Sequence, residues 1–531
     1  MPFLTGIDVL DVQRFIFSSN RLRDIISGSF LVHWSTDFTD GALKGLVSKE
    51  QILLNAGGNA IIEFANDDDA RTFAARYTRL LYDKACGLTV VIYHEFYEDG
   101  FLAEAILALQ KVLSQKKAKR YPSVPLQSLS VTATCIETGL LAIDAKNKDN
   151  TQDKAKDYIN PLSRDVLMRR DNEGLANKHW KEYLRDFPEL SFPLELDLLG
   201  RSLGDTSMIG VIHIDCNGLG RLIKTWLEKQ AQERVSDKQV REKYKECSSQ
   251  IAQLGVSVLQ AVVNHLCKSD GIKEGKVKGV PEKLGFNLVQ KDDKWLLPLR
   301  PILLGGDDLT FVCDARIALD LVETALDVFD KSETVELGRI TACAGVAMVR
   351  VHAPFARAYE LSEKLCRSAK DKKNKDEDSE CFLDWHIGIA RPGEALSKIR
   401  IKQYRAGDRD LTCRPYRLGS GKDDEKMSWR WLSRSLLDDE ECGLRGLHWS
   451  ERRNKIKNML GLVHDGPERL ESALEAWRVV DEKLHFPALL DKSGFINNDR
   501  TPLLDAVELL DLHLMLLGNK GNQSAPQEEI I

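Results

Sequence analysis

The sequence predicts an α+β protein: two βαββαβ layers followed by a helical domain. Three observations lead there. Apolar runs of strand length alternate with amphipathic helical stretches along most of the chain. A Gly-Gly hairpin occurs twice, at Gly57-Gly58 and Gly305-Gly306, each time in a similar order of strands and helices. After about residue 430 the apolar positions recur at helical spacing.

The first copy opens with strand FLTGIDVL (3–10) and a helix start at VQRFIF. QILLNAGGNAIIEF (51–64) reads as a hairpin, because two apolar runs flank its glycines. Helix DDARTFAARYTRLLYDKA (68–85), strand LTVVIYHEFY (88–97) and helix FLAEAILALQKVL (101–113) complete it. The second copy opens at MIGVIHIDCNGLGR (208–221), a strand that delivers Asp215 before Asn217-Gly218-Leu219-Gly220 starts a helix. A long helix over about 237–267 precedes the hairpin LRPILLGGDDLTFVCDA (299–315). Strand RITACAGVAMVRV (339–351), a helix ending ELSEKLCRSAKDKKNK (360–375) and strand ECFLDWHIG (380–388) follow.

These elements divide the chain into domains over 1–145 and 206–420, the second with an insertion at about 268–298. Between them lies a connector over 146–205, entered through the polar stretch DAKNKDNTQDKAKD (144–157) and poorly periodic beyond it. A C-terminal helical domain over 421–518 carries ERLESALEAWRVVDEKL (468–484) and DAVELLDLHLMLL (505–517). The tail 519–531 is expected to be disordered.

Composition bounds the rest. The 531 residues suit three to four domains of about 150 residues each, and 43 % hydrophobic content is ample for their cores. A net charge of −6 excludes a whole-chain polycation, so nucleic-acid contacts must come from local clusters of Lys and Arg. Eleven cysteines without a C-x-x-C pair indicate neither a zinc ribbon nor a disulfide framework. With no signal region before the first strand and no apolar run of eighteen residues, a cytoplasmic protein is expected, with no membrane partner.

The chemistry gathers in the second copy. Gly305 and Gly306 let the backbone turn tightly and approach a phosphate. Asp307 and Asp308 at that turn can hold hard cations through oxygen. Alone, the turn is at even odds with an ordinary hairpin, where Gly and Asp are favoured anyway. Asp215 tips the odds, because a strand-end carboxylate beside two turn carboxylates is what two-metal nucleotidyl transfer needs. Adjacent carboxylates repel, so a buried structural pair without metal is not expected. Cys216 and Cys343 flank the site as small apolar fillers rather than nucleophiles.

The region resembles the ferredoxin-like palm shared by GGDEF diguanylate cyclases, class III adenylyl cyclases and the large subunit of type III CRISPR effector complexes. Asp215-Cys216-Asn217 stands where the GGDEF pattern reads D-x-D, and Gly305-Gly306-Asp307-Asp308-Leu309 has the GGDD form of the CRISPR subunit. Thr341-Ala342-Cys343-Ala344-Gly345-Val346-Ala347 matches T-x-S-x-G-x-A with Cys for Ser, and Ala369-Lys370 matches the A-K that follows. Asn374 stands where an arginine is usual. Val12-Gln13-Arg14-Phe15-Ile16-Phe17 and Arg21-Leu22-Arg23-Asp24 resemble the start of the subunit's first, non-catalytic palm, and Asn59 and Ala60 stand where the second copy has two aspartates. The resemblance covers about residues 1–420.

It implies two facing palms with one competent site. Asp215, Asp307, Asp308 and Lys370 are then catalytic. Asp215, the Cys216 backbone carbonyl, Asp307 and Asp308 would hold two Mg²⁺ or Mn²⁺ ions. Gly305, Gly306, Asn217, Gly218, Lys370 and Gly58 would bind nucleotide, Lys370 at the β/γ oxygens. The implied reaction joins nucleoside triphosphates, ATP foremost, into a cyclic or short oligonucleotide signal in antiviral defence, and pyrophosphate leaves. The alternative is a non-enzymatic scaffold or nucleotide-binding large subunit of an RNA-guided complex. RNA and CRISPR effector subunits are the implied partners, and a homo-oligomer stays open. The subunit's cysteine-rich zinc module is represented only by Cys135, so a lost or metal-free module is expected.

Other features are read as structural. His464-Asp465 lacks the further ligands of an HD phosphohydrolase. Trp385-His386 is expected at a core edge. The basic run KIRIKQYRAGDRDLTCRPYR (398–417) reads as a solvated strand pair closing the palm, ahead of a nucleic-acid surface, and Lys116, Lys117, Lys119 and Arg120 as exposed charge.

Overall fold

The structure, a computed structural model, describes residues 2–119, 131–144, 161–199, 208–268, 271–375, 380–391, 393–419, 427–486, 490, 493–497 and 499–517. Arg120, residues 145–157 of the polar stretch and the tail 519–531 lie outside the described residues.

The first palm comprises β1 (Phe3–Leu10), α1 (Leu22–Thr36), β2 (Ile52–Ala56), β3 (Asn59–Phe64), α2 (Asp67–Lys84), β4 (Thr89–Phe96) and α3 (Leu102–Ala118). Its antiparallel sheet runs β2-β3-β1-β4. Local signals fix α2 well. Asn66 caps it by accepting from the Asp69 N–H at 2.9 Å, and Asp67, Asp68 and Asp69 put negative charge at its positive end. Ala70, Phe73, Tyr77 and Leu81 recur on its buried face.

The connector, expected to lack pattern, holds two short helices, α4 (Arg164–Asp171) and α5 (Glu173–Lys181), and then β5 (Leu190–Ser191). Each helix buries only a few positions, among them Val166, Ala176 and Trp180, too few to create a legible period.

The second palm opens with β6 (Met208–Cys216), α6 (Leu219–Gln232) and the long α7 (Asp237–Lys268). The insertion contains β7 (Gln290–Lys291), β8 (Lys294–Leu296) and shorter strands. Next come the hairpin β9 (Leu299–Leu304) and β10 (Asp308–Asp314), α8 (Ala318–Asp330), β11 (Ala342–Arg350), α9 (Phe355–Lys375), β12 (Phe382–Ile387), α10 (Leu396–Tyr404) and β13 (Tyr416–Arg417). The sheet order is β9-β10-β6-β11-β12-β13, with β11 and β12 parallel and the other neighbours antiparallel. The order of elements expected for this palm is the one observed.

Two expectations fail in detail. The basic run 398–417 begins as helix α10, and Arg400 and Arg414 turn inward instead of lying on a solvated strand pair. Arg400 pairs with Asp384, while Arg414 Nε lies 2.8 Å from Asp505 and its Nη2 3.1 Å from Glu508. Burial is possible here because every inward charge meets an opposite one. The helix expected over 505–517 stops at Leu509, and Met515 and Leu516 form a strand against Gly279 and Val280 of the insertion. Trp385 and His386 lie inside the core rather than at its edge, Trp385 stacked on Tyr416.

The palms and the C-terminal helices, α11 (Arg453–Asp465), α12 (Pro467–Val480) and α13 (Leu503–Leu509), share one continuous core that takes in Ile7, Val211 and Leu470. His464 and Asp465 simply end α11. The palms also meet through polar and aromatic contacts: Gln13 Nε2 donates to Tyr359 Oη at 3.1 Å, and the Phe17 and Tyr359 rings are 4.1 Å apart.

Candidate active site at the GGDD turn

Strand register assembles the site. Asp308, the first residue of β10, stands opposite Asp215 near the end of β6, and Cys343 of β11 flanks Asp215 on the other side. The turn is clasped from both ends. Gly305 N–H donates to the Asp308 carbonyl at 2.8 Å, and Cys216 N–H donates to the Asp307 carbonyl at 2.9 Å. A β-carbon at position 305 would run into the Asp308 carboxylate, and one at 306 would stand 2.9 Å from Ile251 Cγ2 of α7. A side chain at either position would therefore have to displace Asp308 or Ile251. Gly218, left-handed at φ 66°, starts α6.

Lys370 on α9 reaches this cluster. Its Nζ donates to Asp215 Oδ2 at 2.5 Å and to the Cys216 carbonyl at 2.8 Å. The ammonium thus compensates oxygens that have few other donors. Desolvation opposes its charge, but Asp215 outweighs that and raises its pKa. Asp307, at the more open lip of the turn, is raised by partial desolvation and by Asp215. Asp308, half-buried behind it, is pushed up to about 7 by desolvation and then by Asp307 and Asp215. Burial lifts the Cys343 thiol to about 11 and raises Cys216 too, as befits inert fillers.

Among the described residues, no three His, Cys, Asp or Glu side chains stand as an assembled cation cage. The donor set nevertheless suits a hard cation: crowded carboxylates with raised pKa, and an ammonium bonded to one carboxylate oxygen and one carbonyl. Asn217, in the second D-x-D position, donates from Nδ2 to Thr341 Oγ1 at 2.9 Å and leaves Oδ1 without a partner.

A cavity of about 480 Å³ adjoins the cluster, lined by Asn217, Gly218, Arg221, Arg339, Lys370 and Lys373 among others. Arg221 and Lys373 have no ion-pair partner among the described residues, whereas Arg339 holds Asp330 at 2.5 Å. These three cations were not singled out from the sequence. The signals available were the i, i+3 spacing of Lys370 and Lys373 and the place of Arg221 in the first turn of α6.

The first palm repeats the arrangement without the acids at the turn. Lys117 Nζ lies 3.1 Å from Asp8 Oδ1, as Lys370 does on Asp215, so Lys117 is not merely exposed charge. Asn59, not Ala60, stands opposite Asp8, and Val9 N–H donates to the Gly58 carbonyl at 3.0 Å. The two turns are equal in length, Ala56 facing Asn59 as Gly305 faces Asp308, so Gly58 occupies the place of Asp307 and Asn59 that of Asp308, a correction of one residue to the alignment read from the sequence. Gly58, expected to contact nucleotide, is buried against Val9 and Val32. The more exposed Gly57 is the glycine that faces the second palm.

Residues 208–378 match the family model described as Cas10/Cmr2, second palm domain. The motif-based resemblance to the type III CRISPR palm holds for this region. In fold, the chain is similar to a Csm1-Csm4 cassette solved in complex with one ATP, at 15 % identity and TM-score 0.52, covering 96 % of this chain and 70 % of that one. It is similar to the cassette solved with cA3, at 14 % identity and TM-score 0.52, covering 96 % and 69 %. The cassette solved with pppApA gives 14 % and 0.51 over the same shares. No curated protein matches the chain. Among the described residues, no helix is long and apolar enough to cross a membrane.

Proposed function

We propose that the second palm is a nucleotidyltransferase that joins nucleoside triphosphates, ATP foremost, into a cyclic or short oligonucleotide and releases pyrophosphate. One observation carries the reading: Asp215 and Asp308 stand in register beside Asp307, next to a basic cleft of triphosphate size. Asp215, Asp307, Asp308 and the Cys216 carbonyl are the oxygens that would hold two Mg²⁺ or Mn²⁺ ions. When bound, the ions supply charge neutralisation for the triphosphate and the leaving pyrophosphate.

The chain's own groups do the rest. Arg221, Arg339 and Lys373 gather the triphosphate in the cleft. Lys370 exchanges Asp215 for phosphate oxygens and steadies the leaving group. Asp308 orients the 3′-hydroxyl of one nucleotide, whose oxygen bonds to the α-phosphorus of the next as the bond to pyrophosphate breaks. No protein nucleophile takes part. The fold likeness to a cassette solved with ATP, cA3 and pppApA supports adenine nucleotides as ligands and an effector complex, with RNA and further subunits as partners. Antiviral defence is the setting this implies.

The test is pyrophosphate release from each ribonucleoside triphosphate with Mg²⁺ or Mn²⁺, with and without RNA. The double variant Asp307→Asn, Asp308→Asn must abolish it, because amides bind hard cations far more weakly than carboxylates. Release of inorganic phosphate would indicate a hydrolase. One observation favours a second reading, a nucleotide-binding scaffold: Lys370 already neutralises Asp215. Nucleotide binding without turnover under any trigger would select it.

A further inference from the structure

Arg300 lies on β9, shortly before the GGDD turn, and is 1 % exposed. Four arginines are buried among the described residues, and three of them reach a carboxylate. Arg169 is 3.7 Å from Asp165, Arg316 2.9 Å from Asp314 and Arg414 2.8 Å from Asp505. Arg300 has no ion pair among the described residues. Its Nη2 donates to Asn177 Oδ1 at 2.9 Å, its Nε has no acceptor, and the guanidinium lies 5.5 Å from the Phe192 ring centroid. Burying a charge on those terms is costly. Desolvation pulls the group down to about 9, with only the charge of Glu173 acting against it.

Arg300 lines a cavity of about 420 Å³ framed by α5, β5 and β8. Leu184, Phe187, Phe192 and Leu296 are its buried apolar walls, and exposed Lys181 and Lys294 also line it. A largely apolar cavity of this size with one buried polar group is the usual form of a small-molecule site.

We propose that this cavity binds a small organic monocarboxylate with an apolar body, the carboxylate on Arg300 and the body against the leucine and phenylalanine walls. A planar carboxylate matches the fork of a guanidinium. A phosphate dianion would bring two charges into walls that offer one buried cation. The site is separate from the GGDD turn and does not depend on the nucleotidyl-transfer reading.

The full chain is titrated with sodium octanoate by calorimetry and thermal denaturation, with 1-octanol and inorganic phosphate alongside. Octanoate binds one to one and raises Tm, and the other two do neither. Arg300→Met replaces an unpaired buried charge with an apolar group, so it keeps or raises Tm. It loses octanoate affinity by about tenfold or more. A second variant, Leu198→Trp, fills the cavity with Arg300 in place and also loses octanoate. Undiminished octanoate binding by either folded variant overturns the proposal. So does octanol binding as tightly as octanoate, phosphate binding in its stead, or no binding to the parent at millimolar octanoate.

Discussion

A β-carbon placed on Gly57 would stand 3.4 Å from the α-carbon of Gly305, so the Gly-Gly turn of the first palm abuts the GGDD turn of the second. The hairpins repeat each other even in their irregularities, with register shifts at Ile52/Leu54 and at Pro301/Leu303. They differ at the tip. The carbonyl that clasps the central strand belongs to Gly58 in one and to Asp307 in the other. Gly58 and Asn59 thus stand where the second turn carries its two carboxylates.

The two turn glycines should respond differently to alanine. At 305 the added carbon meets the Asp308 carboxylate and displaces it, so Gly305→Ala should lose pyrophosphate release about as fully as Asp308→Asn. At 57 the added carbon makes an ordinary contact, but φ is +48°, a left-handed conformation that costs alanine about 1 kcal/mol. Gly57→Ala should therefore keep turnover and lose about that much stability in urea denaturation. Equal loss of turnover from both would mean that the contact between the turns is itself needed for the reaction.

Acid at the turn should carry a pH signature. Asp308 has a folded pKa of about 7 against an ordinary value of 3.8. A carboxyl raised on folding holds its proton more tightly in the folded state. Stability is therefore greatest below the unfolded pKa and falls as pH rises towards the folded one. Asp308→Asn cannot ionise and escapes that loss. With a chelator present, its Tm advantage over the parent should grow from about pH 4 to about pH 7 and then level off. Added Mn²⁺ should restore the parent above about pH 7, where the ligand is ionised. An Asp308→Asn protein less stable than the parent throughout would show that the acid is structural.

The sequence made the site's backbone legible because short-range rules govern it. The GGDD turn, the strand ending at Asp215 and the helix carrying Lys370 each follow from local pattern, and strand pairing then brings Asp215 to Asp308. Long-range geometry stayed hidden. The one-residue offset between the two Gly-Gly pairs depends on which carbonyl meets Val9 or Cys216, and sequence spacing does not encode that pairing. Arg400 and Arg414 read as exposed charge because their partners, Asp384, Asp505 and Glu508, are far away in sequence or carry no pattern of their own. Met515 and Leu516 continue a helical pattern, yet the insertion's edge at Gly279 and Val280 captures them as a strand.

Lys370 and Lys117 make matching pairs with unequal consequences. Lys370 sits on oxygens that a cation would use, so Lys370→Ala should bind Mn²⁺ more tightly in the absence of nucleotide while turnover falls. Lys117 pairs with Asp8 in a palm whose turn has no acid, and its side chain is 51 % exposed. Lys117→Ala should leave Mn²⁺ binding unchanged and cost at most about 1 kcal/mol, as surface pairs do. Titrations monitored by calorimetry separate the two. Weaker Mn²⁺ binding by Lys370→Ala would mean that the lysine organises the acids rather than competing for them.

The last prediction concerns the cleft that the sequence did not single out. Arg221 and Lys373 line it beside Lys370 and have no ion-pair partner among the described residues, so their charge is available to a polyanion. A hydrogen bond to a charged group is worth about 1.5–3 kcal/mol. Arg221→Ala and Lys373→Ala should each weaken binding of a non-hydrolysable ATP analogue by about tenfold or more, with an effect that shrinks as salt screens the cleft. Arg367 provides the control. It lies on the same helix but lines a different basic cavity, with Arg405 and Arg500. Arg367→Ala should leave analogue affinity unchanged, because a charge outside the cleft makes no direct bond to the phosphates. If Arg367→Ala weakens the analogue as much as Lys373→Ala does, the nucleotide occupies the other cavity and the triphosphate assignment is wrong.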